Sequence, residues 1–186
     1  MANKDAAFGL KATGKVGQNR DSQGLSEYDI AASASAIYQN DPVKMLATGT
    51  IGVAAAGDVL LGSLTGVFYT DASTSKPTFA NHLAASNTAT DIVGFVADDP
   101  YQRFEVQSAG TVAQTNIGNC ADIVYAAGAT PNYISKVEIS GTMAATAAQL
   151  KIIGVSKDPD NNELGSANAN VIVTINEHFM KQAAGI

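Results

Sequence analysis

No stretch of this chain places large apolar side chains at the i, i+3, i+4, i+7 spacing of an amphipathic helix. Short runs rich in β-branched and aromatic residues take its place: Gly66–Thr70, Ile92–Ala97, Gln102–Gln107, Ser135–Ser140, Gln149–Val155 and Asn170–Asn176. Gly, Asn and Asp-Pro turns close these runs at intervals of roughly 8–12 residues, the spacing of an all-β sandwich or barrel. A parallel sheet would need long helices between its strands, and the pattern offers none. The reading is a mainly β protein, a small antiparallel β-barrel or sandwich with at most short helices. Thr111–Asn119 suits a short helix or turn, and the Ala-rich Thr142–Leu150 is the best remaining helix candidate. Residues 71–90, rich in Ser, Thr, Asn and Ala, read as a long surface loop. The expected core holds Val59, Leu61, Val67, Ile92, Phe95, Phe104, Val106, Ile123, Leu150, Ile152, Val171, Val173 and Ile175. Ile92–Pro100 and Ile152–Pro159 share an order of apolar run, acidic Asp-Pro turn and following strand, which predicts two similar hairpins.

A chain of 186 residues fits one domain with an arm. Residues 1–27 show no apolar periodicity and hold Gly9, Gly14, Gly17 and Gly24, so they read as an extended N-terminal arm. Residues 28–186 read as a single β domain. Of the 46% hydrophobic residues, 32 are alanines. The remaining larger apolar side chains, about 54, suffice for one modest core and not two. The net charge is −6, which argues against a nucleic-acid partner held by phosphate contacts and against a polybasic membrane surface. Charge is also unevenly spread. The first twenty residues carry Lys4, Lys11, Lys15 and Arg20 against Asp5 alone, a basic arm on an acidic body. The opening Met1-Ala2-Asn3-Lys4-Asp5 has no apolar run behind it, so no export signal is expected. No run reaches the length of a membrane span.

Each motif that could carry chemistry meets an obstacle. Gly9 to Lys15 has the G-x-x-x-x-G-K spacing of a phosphate loop, but Val16 stands where Ser or Thr should hold Mg²⁺. No apolar strand precedes it and no helix follows, so its amides have no scaffold on which to converge. Asp158-Pro159-Asp160-Asn161-Asn162-Glu163 resembles the start of a calcium loop, yet Glu163 and Ala169 occupy the glycine and bidentate-acid positions. A different cation site from Asp158, Asp160 and Glu163 remains open beside the simpler reading of a solvated turn. Asp98 and Asp99 would point to opposite faces of a strand and not share a proton. His82 reads as a loop residue. His178 follows Glu177, but no nucleophile elbow accompanies it. One cysteine, Cys120, allows neither an internal disulfide nor a cysteine zinc site and reads as a small buried hydrophobe. The expectation is no enzyme, no cofactor and no metal.

Several segments occur in a particular order: Ala6-Ala7-Phe8-Gly9-Leu10, Asn40-Asp41-Pro42-Val43-Lys44, Ala56-Gly57-Asp58-x-Leu60-Leu61-Gly62, Asp98-Asp99-Pro100, Phe104-Glu105-Val106-Gln107, Asn119–Val124, Gln149–Gly154, Asp158–Asn161 and Val171–His178. In this order they resemble small head-decoration, or cement, proteins of tailed bacteriophages, including marine and cyanobacterial ones. The resemblance implies a mostly β fold, jelly-roll or β-tulip-like. It implies a chain made in the host cytoplasm that sits on the outer face of an HK97-fold capsid. The implied partner is the major capsid protein; the resemblance leaves trimer and dimer open, and the closed symmetry of capsid axes ranks a homotrimer first and a dimer second, with no nucleic acid and no membrane expected from the charge. The arm is the expected contact to the capsid or a neighbouring subunit, through Lys4, Phe8, Leu10, Lys11, Lys15 and Arg20. Phe8 and Leu10 would point the same way from an extended backbone. The alternative is a carbohydrate-binding β module, which would use Tyr69, Tyr101, Tyr125 or Tyr133 as sugar platforms.

Overall fold

In the computed structural model, which describes residues 2–16 and 24–183, thirteen strands are joined by irregular segments and two single-turn 3-10 helices, Gln114–Asn116 and Phe179–Lys181. The strands are β1 (Lys11–Lys15), β2 (Ser26–Asp29), β3 (Pro42–Met45), β4 (Ile51–Val53), β5 (Gly62–Thr70), β6 (Pro77–Ala80) and β7 (Val93–Ala97). They continue as β8 (Gln102–Gln107), β9 (Cys120–Ala121), β10 (Ile123–Val124), β11 (Glu138–Ile139), β12 (Leu150–Val155) and β13 (Asn170–Ile175). The chain is mainly β, as the spacing predicts. One sheet has the order β1-β8-β13-β12-β9, and a second has the order β2-β7-β5-β3-β4 with β6 beside β5. β10 and β11 form a small ribbon. Every ladder is antiparallel. Both large sheets keep free edges, so no barrel closes and the layering is sandwich-like.

Alternation builds the first sheet. Phe104, Val173 and Ile152 are register partners on its inner face, with Val106 opposite Val171 and Leu150 opposite Ile175. All six are buried. Burying each contributes about 1.5–3 kcal/mol relative to exposure. The outer rows read Lys11–Glu105–Ile172–Gly154 and Gly14–Arg103–Thr174–Lys151–Cys120.

Two cores form where one was expected. Seventeen buried residues, from Leu10 to Ile175, pack under the first sheet. Eleven others, Ile30, Ile37, Val43, Ile51, Leu61, Leu64, Val67, Leu83, Ala89, Ile92 and Val96, pack under the second. The expectation fails because the larger apolar residues suffice for both: thirteen stand in the first cluster and ten in the second. Ala54, Ala97, Ala121 and Ala169 belong to the first cluster and Ala89 to the second. The cores share a wall: consecutive Leu60 and Leu61 fall in different clusters, as do Val96 and Ala97, because neighbouring residues on an extended chain face opposite sides. Gln149 is fully buried beside this wall. Its amide nitrogen donates to the carbonyls of Ala55 (2.8 Å) and Asp58 (2.7 Å), and its oxygen accepts from the Ile123 N–H (3.0 Å).

Eleven of the thirteen expected core residues are buried. Val59 and Phe95 are only half-buried, and their neighbours Leu60 and Val96 take the inward positions. The stretch 71–90 is not all loop. β6 returns along β5 around a turn in which the Asp71 carboxylate accepts the N–H groups of Ser73 and Thr74 (both 2.9 Å), and Leu83 bridges back to Ile37. Thr142–Leu150 forms no helix, whereas Gln114–Asn116 gives the short turn expected within Thr111–Asn119. The paired-hairpin expectation holds for β12 and β13 and fails for β7 and β8. These two lie in different sheets, so Asp98-Asp99-Pro100 is a corner between sheets and not a hairpin turn.

Candidate functional site

The basic arm residues lie against the chain's own body. Lys4 Nζ reaches the Asp160 carboxylate at 2.7 Å, and that hydrogen bond holds the ammonium pKa above its usual value. Lys15 Nζ is 2.6 Å from the Asp99 carboxylate. That contact, with the Tyr101 N–H, keeps Asp99 below the ordinary carboxylate range. Lys11 Nζ stands 4.0 Å from Glu105 across the β1–β8 ladder. Arg20 lies outside the described residues.

The arm backbone is held chiefly by side-chain amides. Asn3 donates to the carbonyls of Glu163 (3.0 Å) and Ala167 (2.9 Å) and accepts from the Glu163 N–H (3.1 Å). Asn161 accepts from the Lys4 N–H (3.0 Å) and donates to the Lys4 carbonyl (2.8 Å). Buried Gln107 donates to the same carbonyl and accepts from the Ala6 N–H, each at 2.9 Å. The Asn40 amide donates to the Phe8 carbonyl (3.0 Å) while its backbone carbonyl accepts from the Leu10 N–H (2.9 Å), and Ser63 Oγ donates to the Leu10 carbonyl (2.6 Å).

The arm therefore forms a strap along its own domain. Gly9 sits at φ +75° in the left-handed region that glycine tolerates, and a Cβ there would collide with the Asn40 carbonyl and with Ser135. The backbone is not extended at this point. Leu10 is wholly buried in the first core, while Phe8 stays half-buried and lines the cavities beside Ile134. The two do not act as a matched pair of outward anchors.

The other candidates are absorbed by local roles. Gly14 and Lys15 lie in β1, with no helix N-terminus for a phosphate. Asp158 accepts from the Asp160 N–H (3.1 Å) in its own turn, and Asp160 is taken by Lys4. Among the described residues no three His, Cys, Asp or Glu side chains are grouped to hold a metal, and no helix is long and apolar enough to cross a membrane. Asp98 is buried and accepts from Ser26 Oγ (2.9 Å) and Tyr28 OH (2.6 Å), tying β2 to the corner. Burial, then the Asp98 carboxylate, pushes the Tyr28 pKa up. His178 is buried, with Nδ1 accepting from the Met180 N–H (3.1 Å), and burial lowers its pKa. Cys120 is half-buried in β9, not fully enclosed.

Of the tyrosines expected as sugar platforms, Tyr101 is 64% exposed and Tyr125 38%, while Tyr69 and Tyr133 are half-buried. Lys181 Nζ lies 5.3 Å above the Tyr101 ring, and His82 stacks on Tyr133 with centroids 3.8 Å apart.

One surface stands apart. On the outer face of the second sheet, Phe79, Phe68 and Val93 are register partners across β6, β5 and β7, and Asp29 on β2 ends the row. The next row runs Gly66–Phe95–Glu27. Phe79 is 68% exposed and Phe68 38%. The Phe79 ring covers Gly66, where a Cβ would meet its Cζ at 3.0 Å, and tilts at 46° against Phe95 with centroids 5.8 Å apart. The acids Glu27, Asp29 and Asp91 border this aromatic face. The Thr70 hydroxyl, and then the Thr70 N–H from which Asp91 accepts (3.1 Å), lower the Asp91 pKa. None of the three makes an ion pair among the described residues.

Sequence reasoning missed this face. A signal was there: Phe68 and Phe79 stand at equal distances from the Asp71–Lys76 turn, the placement that makes two residues partners across a hairpin. Compared with models of known protein families, with curated proteins and with solved structures, the chain matches none.

Proposed function

We propose that this chain is a non-enzymatic decoration protein that binds the outer surface of an HK97-fold phage head and reinforces the shell. The observation that carries the reading is the uncovered aromatic face of the second sheet. Two large rings on adjacent strands, Phe79 and Phe68, stand exposed with the half-buried Phe95 ring beside them, and such a cluster marks an interaction surface. An arm strapped to its own body by hydrogen bonds suits a rigid clamp better than a flexible tether. On the shell the chain gathers as a homotrimer at local threefold positions, or failing that as a dimer at twofold ones, because closed symmetry lets weak contacts act together. The test is to mix the purified protein with expanded heads stripped of decoration and to reconstruct the bound particles. Saturable density at symmetry axes, with heads that resist heating better than bare ones, is the expected result. Heads that stay bare at high protein concentration overturn the proposal.

A further inference from the structure

We infer that the outer face of β6, β5, β7 and β2 docks on a protein surface that presents an apolar projection flanked by lysine or arginine. The inference deepens the shell reading and rests on it only for where that partner is found.

Three observations carry it. The rings are already positioned. Phe79 lies over Gly66 and against Phe95, so little side-chain freedom is left to lose on binding. The apolar row is continuous, from Phe79 through Phe68 to Val93, and a knob seated on it would contact three strands at once. The border carries three acids, with Lys76 at the β5–β6 turn as the one cation of that hairpin. Glu27 and Asp29 close the β2 side and Asp91 the end of β7, and none has a cationic partner among the described residues. Elsewhere Lys4, Lys11, Lys15 and Lys44 lie beside acids of the same chain. An acidic border left unpaired around an apolar centre selects a partner with the opposite charge around its own apolar centre.

The face also argues against a second copy as its occupant. Four strands about 4.8 Å apart and about five residues long give roughly 300 Å², well short of the ~800 Å² per partner of a stable specific interface. A second copy would bring two acidic borders to one interface. A small face of this kind is adequate where many copies bind one large particle and each is helped by its neighbours.

The experiment uses the whole protein on an array of short peptides. Each carries a central Leu-Phe-Leu flanked by Lys and Arg, by Glu and Asp, or by Ser. The expected result is binding to the basic-flanked peptides at least about tenfold tighter than to the acidic-flanked ones. Phe79→Ser should abolish that preference. A second variant, Glu27→Lys with Asp29→Lys, should reverse it. All of these positions lie on the outer face, so melting curves matching wild type confirm intact folding. Equal binding to the three peptide classes, or an unchanged preference in Phe79→Ser, overturns the inference. So does a concentration-dependent dimer in sedimentation that Phe79→Ser dissolves, because it assigns the face to a second copy. Stripped heads separate this inference from the shell reading. Wild type that ignores heads yet keeps the peptide preference sinks the shell reading alone. Variants that bind heads as wild type does sink the docking face alone.

Discussion

Replacing Gln149 by leucine tests whether one buried amide locks the wall between the two cores. Leucine keeps most of the volume and removes three hydrogen bonds. The Ala55 carbonyl retains the Asp58 N–H at 3.2 Å. The Asp58 carbonyl and the Ile123 N–H lose the partner that Gln149 gives them. Stranding a buried backbone group costs about 1–3 kcal/mol, so two cost about 2–6 kcal/mol, and the added apolar surface of leucine returns about 1 kcal/mol. A net loss of about 3 kcal/mol lowers Tm by roughly 6–12 °C for a chain of this size. Gln149→Glu should be worse at neutral pH, since its second oxygen faces two carbonyl oxygens where the amide donated. Thermal melts followed by circular dichroism measure both variants. A leucine variant that melts within about 2 °C of wild type would refute the reasoning, because it would mean that Gln149 fills space and bonds nothing of consequence.

Further outcomes follow from the strap and the turn after Tyr38. Gln107→Leu should release the segment around Ala6 before the body unfolds, seen as faster hydrogen exchange at Ala6 with β12 and β13 still protected. Unchanged exchange at Ala6 would show that the amide clamp is not what holds the strap. Gly9→Ala should destabilise by about 2 kcal/mol or more, combining a left-handed backbone with a collision at Asn40 and Ser135, and a urea midpoint equal to wild type would contradict this. Asp41 is fully buried, with Oδ2 accepting from the Tyr38 N–H (2.8 Å), and burial, opposed by the Ser135 hydroxyl and that N–H, raises its pKa from 3.8 to about 6. The folded chain thus holds this proton more tightly than the unfolded one. The stabilisation is complete below about pH 4 and is lost as pH rises through 6, a change of about 3 kcal/mol. Asp41→Asn should remove it, so urea titrations of wild type and variant should diverge in the variant's favour between pH 4 and 7. Parallel curves would sink the assignment.

The strands were legible because alternation and turn residues are local signals. The two misplaced core positions show where local signals end. Phe95 outranks its neighbours in size, yet Gly94 takes the inward slot of β7, with the side-chain tips of Ile30, Ile51 and Leu64 within 3.0–3.2 Å of where a Cβ would stand. The slot is already full, so the large ring goes outward. Nothing within β7 announces that. The second core escaped because composition counts apolar residues without saying how the fold divides them: ten of its eleven members are larger than alanine. The arm escaped because its partners are distant. Lys4 and Asp160 are 156 residues apart, and neither neighbourhood points to the other. Excess basic charge in the arm was visible, but not that the chain neutralises much of it internally.

The strap is read by its host in a way that ignores its spelling. Asn161, Gln107 and Asn40 grip carbonyls and N–H groups that almost any residue would supply at positions 4, 6 and 8. Only Gly9 and Leu10 are specified by shape. Residues 4–8 can then drift through evolution, or be rewritten by an engineer, while the fold keeps its hold on them. A short foreign sequence of about five residues placed there would be displayed in a fixed conformation, because the grip that orders it belongs to the framework and not to the insert.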